Sequence, residues 1–167
     1  MSKASYLIVA LAAGVGMTAA AAAQDAAPPA QMAPEQMAPA EDPQSATALT
    51  AMADQYFSGP GAARDDQKAF ELYQKAAEMG HAPAQFRLGY MYAAGRGVAA
   101  NEMAGAEWYR KAMAQSYIPA MTNLGVMYYE GRGVSRNPQL GLDLLNRAAR
   151  AGDKRASDYL VEIGEKH

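Results

Sequence analysis

The 167-residue chain carries 15 basic and 17 acidic residues, a near balance that supplies no electrostatic footprint for nucleic acid. It has no cysteine, which excludes disulfides, thiolate metal sites and a lipidated-cysteine anchor. Half of the residues are apolar, but they are unevenly arranged, with prolines crowded early and glycines recurring at a fixed distance later.

Residues 1–23 have the make-up of a secretory signal peptide: Lys3 is the only charge before Asp25, an apolar stretch begins near Tyr6, and Ala21, Ala22 and Ala23 are small enough for a signal peptidase. Leu7 to Ala23 is alanine- and glycine-rich and shorter than the roughly 20 apolar residues that span a bilayer, so cleavage after Ala23 is expected, with no membrane insertion afterwards. The expected location is the bacterial periplasm or the exterior. Losing Lys3 leaves 14 basic against 17 acidic residues. Residues 24–47 hold five of the nine prolines and a Gln-Met-Ala-Pro string at 31–34 and again at 36–39, a composition that cannot bury a core and is expected to form a disordered or extended linker.

From residue 48 the chain repeats itself every 36 residues without a gap, giving units 48–83, 84–119 and 120–155 and a partial unit 156–167. Ala84, Leu88, Gly89, Tyr92, Gly95, Gly97, Val98 and Asn101 fall on Ala120, Leu124, Gly125, Tyr128, Gly131, Gly133, Val134 and Asn137. A weaker copy runs through Ala48, Met52, Ala53, Tyr56, Gly59, Gly61, Ala62 and Asp65. A fixed period of this size indicates a solenoid of stacked supersecondary units.

Within a unit, Ala84, Leu88, Met91 and Tyr92 share one face of a helix that opens at Pro83, where a missing amide hydrogen costs nothing. Gly95-Arg96-Gly97 then ends the helix and reverses the chain. Asp65, Asn101 and Asn137 are placed to cap a second helix, with Pro138 at its first turn in the third unit. That helix carries Trp108, Tyr109 and Ala112, or Leu144, Leu145 and Ala148, and its alanines are expected to face Gly89 and Gly125 and let the helices approach closely. In the partial unit, Asp158, Glu162 and Glu165 suit a polar cap.

The string Ala84, Leu88-Gly89, Tyr92, Gly95-Arg96-Gly97-Val98, Asn101 and Trp108-Tyr109-Arg110-Lys111-Ala112 resembles a Sel-one-like repeat, a relative of the tetratricopeptide repeat. The resemblance implies an all-α fold, a right-handed α/α superhelix of about three helix-turn-helix repeats with a terminal capping helix. It also implies a non-catalytic module, an adaptor or regulator that binds a protein or peptide. Two departures stand out. The usual alanine of the second helix is Gly105 or Gly141, which is expected to weaken that helix, and the third unit has Leu144-Leu145 for Trp-Tyr.

No residue pattern announces catalysis, a metal or a cofactor. His81 lies in an inter-repeat turn and His167 at the terminus, neither with a ligand partner at i+3 or i+4. Gly95-Arg96-Gly97 lacks the preceding strand and the GK[ST] ending of a phosphate loop. Asp65-Asp66 is an adjacent pair in a turn, which places no acid opposite a base. Arg147, Arg150, Lys154 and Arg155 gather at a helix end, where cations solvate the face and favour the dipole. Two other classes stay open, a cell-wall-related hydrolase and a structural subunit of an envelope assembly, but the polar cap favours a monomer.

By analogy with tetratricopeptide arrays, the first helices line a concave groove. Opposite Ala84 and Leu88 they carry Phe86, Tyr90 and Ala93, in phase with Thr50, Asp54 and Phe57 and with Thr122, Val126 and Tyr129. The candidate partner-binding residues are therefore Asp54, Phe57, Phe86, Tyr90, Thr122, Val126 and Tyr129, aromatic rings among small groups that bury area at low entropic cost. Packing between neighbouring units is the competing role for Phe86 and Tyr90.

Overall fold

The computed structural model describes residues 42–60 and 64–164, all within the second of the chain's two units, Glu41–His167. The expected signal peptide, most of the linker, Gly61, Ala62, Glu165 and His167 lie outside the described residues. Among the described residues seven helices follow one another: α1 (Ala46–Ser58), α2 (Asp66–Glu78), α3 (Ala82–Ala94), α4 (Glu102–Ala114), α5 (Ile118–Glu130), α6 (Pro138–Arg150) and α7 (Lys154–Gly164). No strand occurs among the described residues. The fold is an α solenoid in which α1/α2, α3/α4 and α5/α6 form hairpins, each second helix packs on the next first helix, and α7 covers α6.

Each hairpin is built by the residues that recur. The side chains of Asp65, Asn101 and Asn137 accept from the amides of Lys68, Ala104 and Leu140 at 3.0, 3.0 and 3.1 Å, each cap worth about 1 kcal/mol. Their own amides donate back to the carbonyls of Tyr56, Tyr92 and Tyr128, which closes the turn. Gly95 and Gly131 end α3 and α5 in the left-handed conformation, at φ 68° and 81°. Gly97 and Gly133 also have positive φ, and a Cβ there would collide with the backbone of Asp66 or Glu102 at the head of the preceding second helix. The turn is thus both a reversal and a contact between units.

Leu88, Leu124, Leu145, Met91 and Tyr109 are buried together with Ala84, Ala120, Ala112 and Ala148 in two apolar clusters, one under the first hairpins and one under the last. The close approach of paired helices falls elsewhere than at Ala112 and Ala148. Opposite Gly89 stand the Tyr109 ring and the Gly105 carbonyl, and opposite Gly125 stand Leu145 and the Gly141 carbonyl. In an antiparallel hairpin, residues equidistant from the turn lie level, which matches Gly89 with Gly105 and sets Ala112 near the start of α3. A Cβ on Gly105 would sit 2.8 Å from the Gly89 carbonyl oxygen, and one on Gly141 2.7 Å from that of Gly125. These helix-interior glycines lower propensity but permit the tightest crossing in each hairpin.

Candidate functional site

Thr50, Phe86 and Thr122, one repeat apart, join each unit to the next. Thr50 Oγ1 lies 2.8 Å from His81 Nδ1, and Thr122 Oγ1 donates to Asp153 Oδ2 at 2.7 Å. The Phe86 ring stands 5.4 Å from Tyr117 and 5.7 Å from Tyr109. His81, Tyr117 and Asp153 occupy one position, just ahead of α3, α5 and α7. Burial alone would raise the Asp153 carboxyl, but hydrogen bonds from Arg155 and Thr122 outweigh it and hold the acid below its ordinary range. Thr122 is only 3% exposed, so it and the packed ring of Phe86 serve the joint.

Phe57 fills the seam between the first two units. Its ring meets Tyr73 and Tyr90 edge-on, at 6.1 and 5.9 Å, while the Arg96 guanidinium lies 3.8 Å from its centroid and that of Arg87 5.6 Å. Arg96 also donates to both Asp66 carboxylate oxygens, at 2.5 and 3.0 Å, and to the Phe57 carbonyl at 3.3 Å. Arg96 first, then Arg64, holds the Asp66 carboxyl far below its usual range. Asp54 accepts from the Tyr73 hydroxyl at 2.5 Å and pairs with Arg87 at 3.3 Å. Burial, then this bond to Asp54, pushes the Tyr73 phenol far up.

The next seam keeps the clamp: Arg132 donates to Glu102 at 2.6 and 2.8 Å and lies 3.6 Å from Glu130. Beside it opens a surface hollow of about 240 Å³, lined chiefly by Tyr90, Ala93, Tyr109, Asn123, Val126 and Arg132. It brings together two of the expected groove residues, Tyr90 and Val126, and adds Ala93 from the same face. Burial raises the Tyr109 phenol to about 12, against a smaller opposing bond from Asn123. At the third seam, Tyr129 meets Tyr159 edge-on at 6.1 Å, and the Tyr159 hydroxyl donates to Glu130 at 2.8 Å. Burial and then Glu130 raise the Tyr159 phenol well above its ordinary value.

Residue-by-residue reading of the motif misses the two arginine clamps. A signal was present: Arg96 and Arg132 each follow an acid, Asp66 or Glu102, by the same interval. The basic cluster at the end of α6 finds local carboxylates, with Arg147 on Asp143, Lys154 on Asp158 and Arg155 on Asp153. Among the described residues no group of three or more His, Cys, Asp or Glu is placed to hold a metal, and no helix is long and apolar enough to cross a membrane.

A family model described as the Sel1 repeat matches residues 46–81, 82–117 and 118–153, units that open where α1, α3 and α5 begin. Among solved structures, the chain is similar to a Sel1 repeat protein from Oxalobacter formigenes, with 35% identity and a TM-score of 0.64 over 73% of this chain and 50% of that one. It is also similar to c5321, a protective antigen present in uropathogenic Escherichia coli strains and displaying an SLR fold, with 33% identity and a TM-score of 0.64 over 68% of this chain and 24% of that one. Cysteine-rich protein B of Helicobacter pylori shares the fold at 24% identity and a TM-score of 0.56, over 66% of this chain and 87% of that one. The chain thus spans half the length of the first of these and about a quarter of the second. No curated protein matches.

Proposed function

This chain belongs to the Sel1 repeat family, and we propose that it is a non-catalytic adaptor or regulator in the bacterial cell envelope that binds one protein partner through the exposed face of its first helices. Sel1 repeat proteins generally mediate protein–protein interactions. The observation that carries the reading is the hollow between α3 and α5. Tyr90 stands at its edge, with one side of its ring against Phe57 in the first seam and 39% of the residue still exposed, whereas Phe86 and Tyr129 are packed into their seams. Large rings held at low entropic cost beside a concavity are what binding surfaces use. The leader-like composition of residues 1–23 supports an envelope location.

Photo-crosslinking in cells from position 90 of the full chain tests the reading. The expected result is one crosslinked protein band, recovered from the envelope fraction and lost when the probe is moved to exposed Met103 on α4. Crosslinks that are absent, or equal from both positions, overturn it. Amino-terminal sequencing of the exported chain is expected to begin at Gln24, and a chain still starting at Met1 contradicts the envelope assignment.

A further inference from the structure

The neighbours of Phe57, shifted by one repeat of 36 residues, explain why the hollow exists. Tyr73, Arg87, Tyr90 and Arg96 surround the Phe57 ring. Their counterparts are Tyr109, Asn123, Val126 and Arg132, and all four line the hollow. Phe57 itself corresponds to Ala93, which also lines it. Tyr129 restores an aromatic ring at this position in the third unit. The concavity is therefore a ring site whose ring the chain does not supply, widened where Val126 replaces Tyr90 and Asn123 replaces Arg87.

We propose that the hollow receives a phenylalanine or tyrosine side chain presented by a protein partner, which enters over Ala93 and stacks beneath Arg132 as Phe57 stacks beneath Arg96. This rests on the binding reading above and names the group that is bound. The space suffices, since an apolar cavity of about 150 Å³ takes benzene, and the hollow offers about 240 Å³. Arg96 shows that a guanidinium clamped by an acid keeps a face for a ring, and Arg132 is likewise held by an acid, through one oxygen of Glu102. A flat cation favours a π face over an aliphatic group of equal size. A partner fits better than the flanking segments, since Tyr6, inside the expected signal peptide, is the only aromatic residue among residues 1–41, and residues 165–167 contain no Phe, Tyr or Trp.

The test is an NMR titration of the exported chain with N-acetyl-phenylalanine amide, with N-acetyl-leucine amide as control. Saturable shifts are expected at the Ala93 and Val126 methyls, with the phenylalanine compound binding about 2- to 5-fold more tightly, as an exposed cation–π contact implies. Ala93→Phe, which supplies the ring internally, should abolish the shift at the Val126 methyls without loss of stability. Val126→Tyr, which narrows the hollow from the other wall, should weaken the shift at the Ala93 methyl and covers the case in which the first variant does not fold. Absent saturation, equal affinity for the leucine compound, or shifts that persist in folded Ala93→Phe each overturn the proposal. So does concentration-dependent self-association that Ala93→Phe removes, which would make the occupant a second copy. Crosslinking from position 90 that is undiminished in Ala93→Phe overturns the ring site and leaves the broader binding reading standing.

Discussion

Arg96 and Arg132 occupy the same place in the repeat but not the same environment, so removing each arginine in turn measures what the turn motif contributes to joining units. Arg96 is 20% exposed, bonds both oxygens of Asp66 and lies over Phe57, while Arg132 is 52% exposed and meets Glu102 and Glu130 nearer to solvent. A charge-assisted hydrogen-bond pair contributes about 1.5–3 kcal/mol and an exposed cation–π contact about 0.5–1 kcal/mol. Partial exposure screens part of this, so Arg96→Ala should cost about 2–3 kcal/mol. Arg132→Ala, a solvent-exposed ion pair, should cost about 1 kcal/mol or less. Urea denaturation followed by circular dichroism reads both, as a lower midpoint at unchanged slope. Equal losses, or a larger loss for Arg132→Ala, would refute the claim that burial separates the two clamps.

The same pair carries a pH signature. The folded-state carboxyl of Asp66 is depressed from 3.8, so the stability it contributes is fully present above that value. It is lost as pH falls below 3.8 toward the lower folded-state value, where protonation removes the negative partner of Arg96. The stability gap between wild type and Arg96→Ala should therefore stay constant from neutral pH down to about 5 and shrink below about 4. A gap that widens on acidification contradicts the assignment.

Leu88→Ala should cost about 2–5 kcal/mol in urea denaturation, because the side chain is wholly buried and a cavity remains; an unchanged midpoint would exclude it from the core. Gly105→Ala should destabilise α4 despite alanine's higher helix propensity, since its Cβ meets the Gly89 carbonyl at 2.8 Å, whereas Gly164→Ala, with nothing within 4 Å, should be neutral or mildly stabilising. Thermal melts of the two variants check the opposite signs. Ser116 has φ 62° where its repeat counterparts are Gly80 at 88° and Gly152 at 91°, so Ser116→Gly should stabilise by about 1 kcal/mol, read as a raised denaturation midpoint.

Architecture was legible because it depends on local chemistry that recurs: a cap at Asn101, a left-handed glycine at Gly95 and an apolar stripe through Leu88 each need only neighbours in sequence. The register between paired helices was not, since it depends on where the turn sits, and so Gly105 read as a weakness when it is the crossing point. The joints were hidden for a similar reason. Thr50, Phe86 and Thr122 differ in chemistry yet share one task, because the residue each meets changes with it: His81, Tyr117 and Asp153.

For the surface, the sequence draws attention to rings that are present, such as Phe86, while the structure shifts it to Ala93, where a ring is missing. A small residue in an aromatic phase does not by itself create space, because neighbouring side chains can close over it. Here they do not: Tyr109 is held in the core, Arg132 is tied to Glu102, and Val126 and Asn123 are both smaller than the Tyr90 and Arg87 they replace. Three substitutions in one phase, with the clamp retained, keep the walls of a ring site and remove its contents. That combination separates a binding hollow from a packing defect, since a defect would cost stability at the same seam without preserving the arginine that recognises a ring.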